Sequence, residues 1–217
     1  MYEDACSRLH EVLNDLPRYS FFQLDHRVPA DGVYFLFESG EEGHEGQRIV
    51  RIGSHTGKGN LASRLREHVR LNKDRSIFRK HVGRALLQRD KDPYLAIWNL
   101  DLTAKKAREE HGHRVDKTKQ ATIESSVSAY IEGNFTVSIL AASDSDAACR
   151  LEERCIGTVS SCSHCAPSTA WLGRHADPRI AGSGLWQIMH LYGKGLEELE
   201  LQSTPSDQTA IRQSKTP

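Results

Sequence analysis

Residues 50–68 read VRIGSHTGKGNLASRLREH. A β-branched run closes on Gly53, a glycine-rich loop carrying His55 and Lys58 follows, and an arginine-rich helical segment begins near Asn60. Such a stretch either cradles the phosphates of a nucleotide or belongs to a site that acts on a phosphate backbone. A nucleotide-binding P-loop needs GxxxxGK[ST], with lysine and a hydroxyl residue adjacent at the start of the helix. Here Gly53-Ser-His-Thr-Gly57-Lys58-Gly59 has the wrong spacing and glycine after the lysine. The nucleotide reading fails.

Upstream, Asp31-Gly32 is a turn signal, and the aromatic, β-branched run VYFLF that follows reads as a buried strand over 33–37. The segment ESGEEGHEGQ is polar and glycine-rich and reads as a loop. RIVRIG then resumes as a strand over 48–52, giving an antiparallel hairpin with a long connection. Downstream, Asn60 is placed to cap a helix whose core stripe is Leu61, Leu65 and Val69. A second helix over about 75–89 is expected to bury Ile77, Phe78, Val82, Ala85 and Leu86 and to turn Arg79, Lys80 and Arg84 outward. PYLAIWNL at 93–100 reads as a strand or as the start of an insertion over about 91–119, of which 103–119 is highly charged and exposed. Residues 121–132 read as helix, FTVSILA as a third strand, and Asp144 or Ser145 as the cap of a helix over 146–159. An amphipathic helix over 3–15, stopped by Pro17, makes residues 1–30 an N-terminal helical extension. Residues 173–202 form a C-terminal one, and the polar, proline-containing 203–217 reads as a disordered tail.

The 217 residues suffice for one domain with a full core, and 38% hydrophobic with 27% charged content fits a globular chain. Formal net charge is zero, yet Arg48–Lys91 holds 13 Lys+Arg against 3 Asp+Glu, a balance of +10 that the remainder must offset. One strongly basic segment in a neutral chain suits a partner rich in phosphate. No apolar run approaches the roughly 20 residues that span a bilayer. The polar, acidic start MYEDACSRLHEV does not read as a secretory signal, so a cytoplasmic protein with no membrane partner is expected. Of five cysteines, four lie between Cys149 and Cys165, a pattern that disfavours a disulfide framework in such a chain. Cys162-x2-Cys165 with Cys155 upstream has zinc-ligand character, but zinc sites usually bring two such pairs. The thiols of Cys155, Cys162 and Cys165 are therefore read as buried side chains rather than a structural zinc site.

Read together, Gly32-Val33-Tyr34 and Arg51-Ile52-Gly53 resemble the two half-motifs of the GIY-YIG nuclease superfamily, with Arg51 in place of the second tyrosine. The resemblance covers roughly residues 31–172 and implies an α+β fold, a small three-stranded antiparallel sheet flanked by helices. It also implies hydrolysis of DNA phosphodiesters with one divalent ion, Mg²⁺ or Mn²⁺. Arg64 and His68, four residues apart, match an Arg-x3-His pattern on the helix after the second half-motif. Leu151-Glu152-Glu153-Arg154-Cys155-Ile156 resembles the segment that carries the metal ligand. Helical phase chooses between the two glutamates: Glu152 projects within the apolar face of Ala147, Ala148, Leu151, Cys155, Ile156 and Val159, and Glu153 falls outside it.

The resemblance thus implies that Glu152 holds the metal and that Arg64 offers a planar fork to the phosphate. Tyr34 would help to deprotonate water, with His68 as relay or alternative base. Tyr34, Arg64 and Glu152 are expected to meet on one concave surface, with Arg51, His55, Lys58, Arg79 and Lys80 binding the DNA backbone. Two departures from the family pattern stand out: Arg51, and Ala170 in Pro167-Ser-Thr-Ala170 where the family often ends Pro-x-x-Asn. They leave a second reading open, a catalytically diverged nucleic-acid-binding module of the same fold. A small zinc-stabilised interaction domain is a third.

Overall fold

Strand β1 (Gly32–Gly43) is the centre of a three-stranded antiparallel sheet, flanked by β2 (Gly46–Gly53) and β3 (Phe135–Ala141) in the order β2-β1-β3. The computed structural model describes residues 2–24 and 28–197. Both faces of the sheet are covered, which is why VYFLF is a continuous apolar run rather than an alternating one. Val33, Phe35 and Phe37 pack in one core with Cys6, Leu9 and Leu13 of helix α1 (Tyr2–Asn14) and with Cys155, Ile156 and Val159 of α7 (Ser145–Ser160). Tyr34 and Leu36 face the other core, built from α2 (Leu61–Glu67), α3 (Ile77–Arg89) and α6 (Lys117–Asn134). The α+β architecture, the three strands and the flanking helices follow the sequence expectation.

The hairpin connection does not. β1 and β2 run through the polar segment and close on a two-residue turn at His44 and Glu45, with φ of 51° and 60°. Its polar residues enter the structure because they are partnered. Arg48 donates to Glu41 at 2.6 Å, both buried, and Glu41 also accepts from the backbone N–H of Ser168 at 3.1 Å.

Asn60 stands at the N-terminus of α2 without capping it; its amide instead holds the Thr56 carbonyl at 2.9 Å. The second helix is buried around more of its circumference than expected. Phe78, Val82 and Ala85 are buried as expected, but Ile77 is 44% exposed and Leu87, not Leu86, is the deeper leucine. Arg79, expected on the outside, is fully buried, donating to Glu124 Oε2 at 2.6 Å, Ser128 Oγ at 2.9 Å and the His68 carbonyl at 3.1 Å. Lys80 is buried as well, with Nζ directed at the Leu100 carbonyl and Asp74. The apolar periodicity misled because a carboxylate on α6, 45 residues away, makes an interior arginine acceptable.

PYLAIWNL forms a short helix, α4 (Leu95–Trp98), not a strand. It ends with Trp98 buried and its ring so close to Gly83 that a Cβ there would lie 2.2 Å from it. The charged stretch beyond holds α5 (Lys105–His111), with no buried residue, before Asp116 caps α6. After α7 the chain runs through α8 (Pro178–Ser183) to the outer edge of β2. There the Trp186 N–H donates to the Val50 carbonyl at 2.7 Å, and the Ile52 N–H donates to Gln187 Oε1 at 3.0 Å. The edge strand is thereby covered. The expected disordered tail, 203–217, lies outside the described residues. Among the described residues no helix is long and apolar enough to cross a membrane.

Arg79 and Arg70 belong to the same basic stretch but have opposite environments, the second being exposed. Arg79→Leu strands Glu124 in the core and should lower the unfolding free energy by about 3–5 kcal/mol in urea titration. Arg70→Ala should stay within about 0.5 kcal/mol.

Candidate active site

The end of β2 positions the site. Tyr34 stands directly across from Gly53, and a Cβ on Gly53 would lie 2.2 Å from the phenolic oxygen. Glycine is needed here so that the ring can lie over the strand end. Tyr34 is fully buried, and its hydroxyl lies 2.8 Å from His68 Nε2 at the C-terminus of α2. The other ring nitrogen of His68 lies 2.8 Å from Ser76 Oγ, and Ser76 in turn accepts the Arg79 N–H as the N-cap of α3. His68 also packs edge-on against Phe78 at 5.3 Å between centroids. Burial, reinforced by the charges of Arg51, Arg64 and Arg79, holds its pKa well below the ordinary 6.5. The ring is neutral at pH 7.

Arg64 lies one turn before His68 on α2 and keeps 27% of its side chain exposed. Its guanidinium is 3.4 Å from Glu67 and 3.4 Å from the Arg75 carbonyl, long contacts that leave most of its donors open among the described residues.

Glu152 comes from α7, on the opposite face of the sheet from Tyr34. It is half-buried, and its Oε2 accepts the hydroxyl of Ser54, the residue immediately after Gly53. The expected single concave surface is therefore corrected. Tyr34 lies inside the core and Glu152 at its margin, and they approach one another only around the end of β2. Glu153 is 56% exposed and lies 3.6 Å from His190 Nδ1, as helical phase required.

Of the five residues expected to bind the DNA backbone, only Lys58 is exposed. Arg51 stands on the Tyr34 face of the sheet, across from Leu36, and donates to the Trp186 carbonyl at 2.5 Å. Its Nε has no partner among the described residues. His55 is buried between the Gly57 carbonyl at 3.0 Å and Asp31 at 3.4 Å, where it pins the glycine-rich loop rather than facing solvent. With Arg79 and Lys80 also inside, four of these assignments are withdrawn. Sequence reading missed Ser54, Ser76 and Asp31; the last also accepts the Gly59 N–H at 2.9 Å. Each is a short polar residue at a turn or helix start, a position that signals local capping and gives no hint of a distant partner.

The donor set suits a hard divalent ion. Glu152 Oε1 accepts no hydrogen bond among the described residues, and a single half-exposed carboxylate leaves room for waters and a phosphate oxygen, the coordination that Mg²⁺ favours. The segment around Ala170 is anchored instead at Glu41 through Ser168 and at Glu38 through Trp171, farther along β1 toward the hairpin turn.

Two buried histidines, His68 and His81, contribute to the acid sensitivity of the fold. His68 is held below 6.5, and burial pushes His81 down to about 3. As pH falls the unfolded chain binds these protons first. The native state is favoured above about 6.5 and loses that advantage below it, until the folded pKa values are reached. Urea midpoints should therefore drop between pH 7 and pH 4. His81→Gln should flatten that drop by up to about 1.4 kcal/mol per pH unit.

A search of curated proteins returned no match, and neither did a search of solved structures. A family model described as a GIY-YIG domain matches residues 2–203. That span takes in α1, the three strands, α7 and the segment that covers β2, so the chain belongs to the GIY-YIG domain family.

Proposed function

We propose that this protein is a metal-dependent endonuclease that hydrolyses DNA phosphodiester bonds at the end of β2. GIY-YIG domains are generally nuclease domains, which supports a nuclease-type activity here. The observation that carries the finer reading is the junction Gly53-Ser54: Tyr34 lies against the first residue and Glu152 is bonded to the second.

Glu152 would hold one Mg²⁺ or Mn²⁺, whose charge would polarise the phosphate and stabilise the leaving oxygen. Arg64 offers its open donors to the non-bridging oxygens as negative charge builds. Lys58 and Arg75, both exposed near α2, are placed to hold the flanking backbone. Tyr34 acts on the attacking water, and His68 positions Tyr34. Ser76 Oγ already accepts the Arg79 N–H, so its own proton is free for His68 Nδ1. That leaves Nε2–H to donate to the Tyr34 oxygen and fix the direction of its lone pairs. A ring kept neutral by burial suits this role better than that of proton acceptor.

The complete burial of Tyr34 favours a second reading, a nucleic-acid-binding module that kept the fold without the activity. Incubation with supercoiled plasmid and Mg²⁺ or Mn²⁺ separates the two. Nicked or linear product supports the nuclease; salt-sensitive binding with intact plasmid supports the module.

In the nuclease reading, Glu152→Gln should lower cleavage by about 10²-fold or more while DNA binding survives, because the amide keeps the shape and loses the charge. Glu153→Gln should be nearly silent. An equal loss in both variants would refute the assignment to Glu152. Arg64→Lys should also be severely impaired, since a point charge does not replace the bidentate fork. The pH–rate profile should show no limb from His68 near 6.5; such a limb, lost in His68→Gln, would make His68 the base instead.

A further inference from the structure

The opposite end of the hairpin holds a second cluster that the nuclease chemistry does not use. Two-residue turns with both residues at positive φ favour Asn-Gly, yet this one has His44 at 51° and Glu45 at 60°. The turn is pressed against the chain beyond α7. A Cβ on Gly43 would lie 3.1 Å from the carbonyl oxygen of His164. A histidine held in an unfavoured backbone conformation at a close packing point implies work for its side chain.

Four donor atoms meet there. Cys6 Sγ from α1, a ring nitrogen of His44, and the Sγ atoms of Cys162 and Cys165 all lie within 4.8 Å of one another. His44 Nε2 is 3.2 Å from Cys162 Sγ, and Cys6 Sγ is 3.5 Å from Cys165 Sγ. Tetrahedral zinc with Zn–S of about 2.3 Å and Zn–N of about 2.0 Å sets neighbouring donors roughly 3.5–3.8 Å apart. All three thiols are buried and His44 is half-buried. Cys155, the third thiol considered in the sequence, lies in the α7 core outside this group.

We propose that Cys6, His44, Cys162 and Cys165 form a structural zinc site of the Cys₃His type. Four protein ligands close the tetrahedron and leave no open position for substrate, so its role is to hold structure. Soft thiolates with one imidazole select zinc over the hard ion proposed for Glu152. His10 supports the site from behind: Nδ1 is 2.9 Å from the Cys6 carbonyl, and Nε2 is 3.9 Å from Cys165 Sγ. The ion would tie α1, the hairpin turn and the chain after α7 together, joining residues 159 apart in sequence.

The test is metal analysis of the purified full-length protein, with no activity readout. About one zinc per chain is expected by mass spectrometry, and exchange with Co²⁺ should give the visible bands and thiolate charge transfer of tetrahedral cobalt. His44→Ala and Cys162→Ser should each lose the metal and unfold at lower temperature. His44→Cys should retain it, and Cys149→Ser, outside the cluster, should be unaffected. Wild-type protein that carries no zinc and takes up no cobalt would overturn the site. So would a Cys6–Cys165 disulfide found by mass, or zinc retained at full stoichiometry in both His44→Ala and Cys162→Ser.

Discussion

The carboxylate of Glu38 is the constraint on which the rest of the structure hangs. It sits in the middle of the central strand, 2% exposed, and burial pushes its pKa up. A carboxylate in such a place is tolerated only if its oxygens are satisfied. Trp171 Nε1 donates at 2.7 Å, Trp186 Nε1 at 2.8 Å, and the Tyr130 hydroxyl supplies the third bond. Those donors come from α6, from the turn before α8 and from the segment along β2, so all three must dock together. Trp186 then passes the constraint on, because its carbonyl accepts Arg51 and its N–H holds Val50. Burial lowers the pKa of His68 most, and Arg51, held by the Trp186 carbonyl, adds to that shift.

The same logic governs the basic segment. Its +10 balance is a property of the sequence, not of the surface. Arg48 and Arg79 are paired with buried carboxylates from outside the segment, and Lys73 Nζ is taken by Asp74 and by the Leu100 carbonyl at 2.7 Å. Cations from this stretch therefore act as internal cross-links, which is where part of the remaining acidic charge is spent. What stays exposed, including Lys58, Arg70 and Arg75, is a smaller field than the sequence count suggests.

The sequence was legible where local rules decide. VYFLF, RIVRIG and FTVSILA became strands; Asp144 capped α7 through the Ala147 N–H; and the phase of α7 separated Glu152 from Glu153. It was illegible where a distant partner changes what a residue can do. Arg79 looks like a surface cation until Glu124 is brought beside it, and ESGEEGHEGQ looks like a loop until Arg48 and Ser168 meet Glu41. Cys162 and Cys165 look like half a metal site because the other half is contributed by Cys6 and His44, the latter 118 residues from Cys162. Helical periodicity and motif spacing carry no information about such pairings.

Gly53 of the second half-motif answers a constraint set by the sheet itself. The layers on the two faces of a sheet lie about 10 Å from the strands that separate them. A carboxylate from one layer and a phenol from the other do not share a ligand through that backbone. They can do so only past a strand end, and only if the last residue there carries no side chain in the way. Gly53 meets both conditions: it terminates β2, and its missing Cβ is the space that the Tyr34 hydroxyl occupies. Ser54, one residue on, turns the chain toward α7 and meets Glu152. In the proposed nuclease, the glycine that closes Arg51-Ile52-Gly53 would let groups supplied from two separate cores approach one another around a strand end.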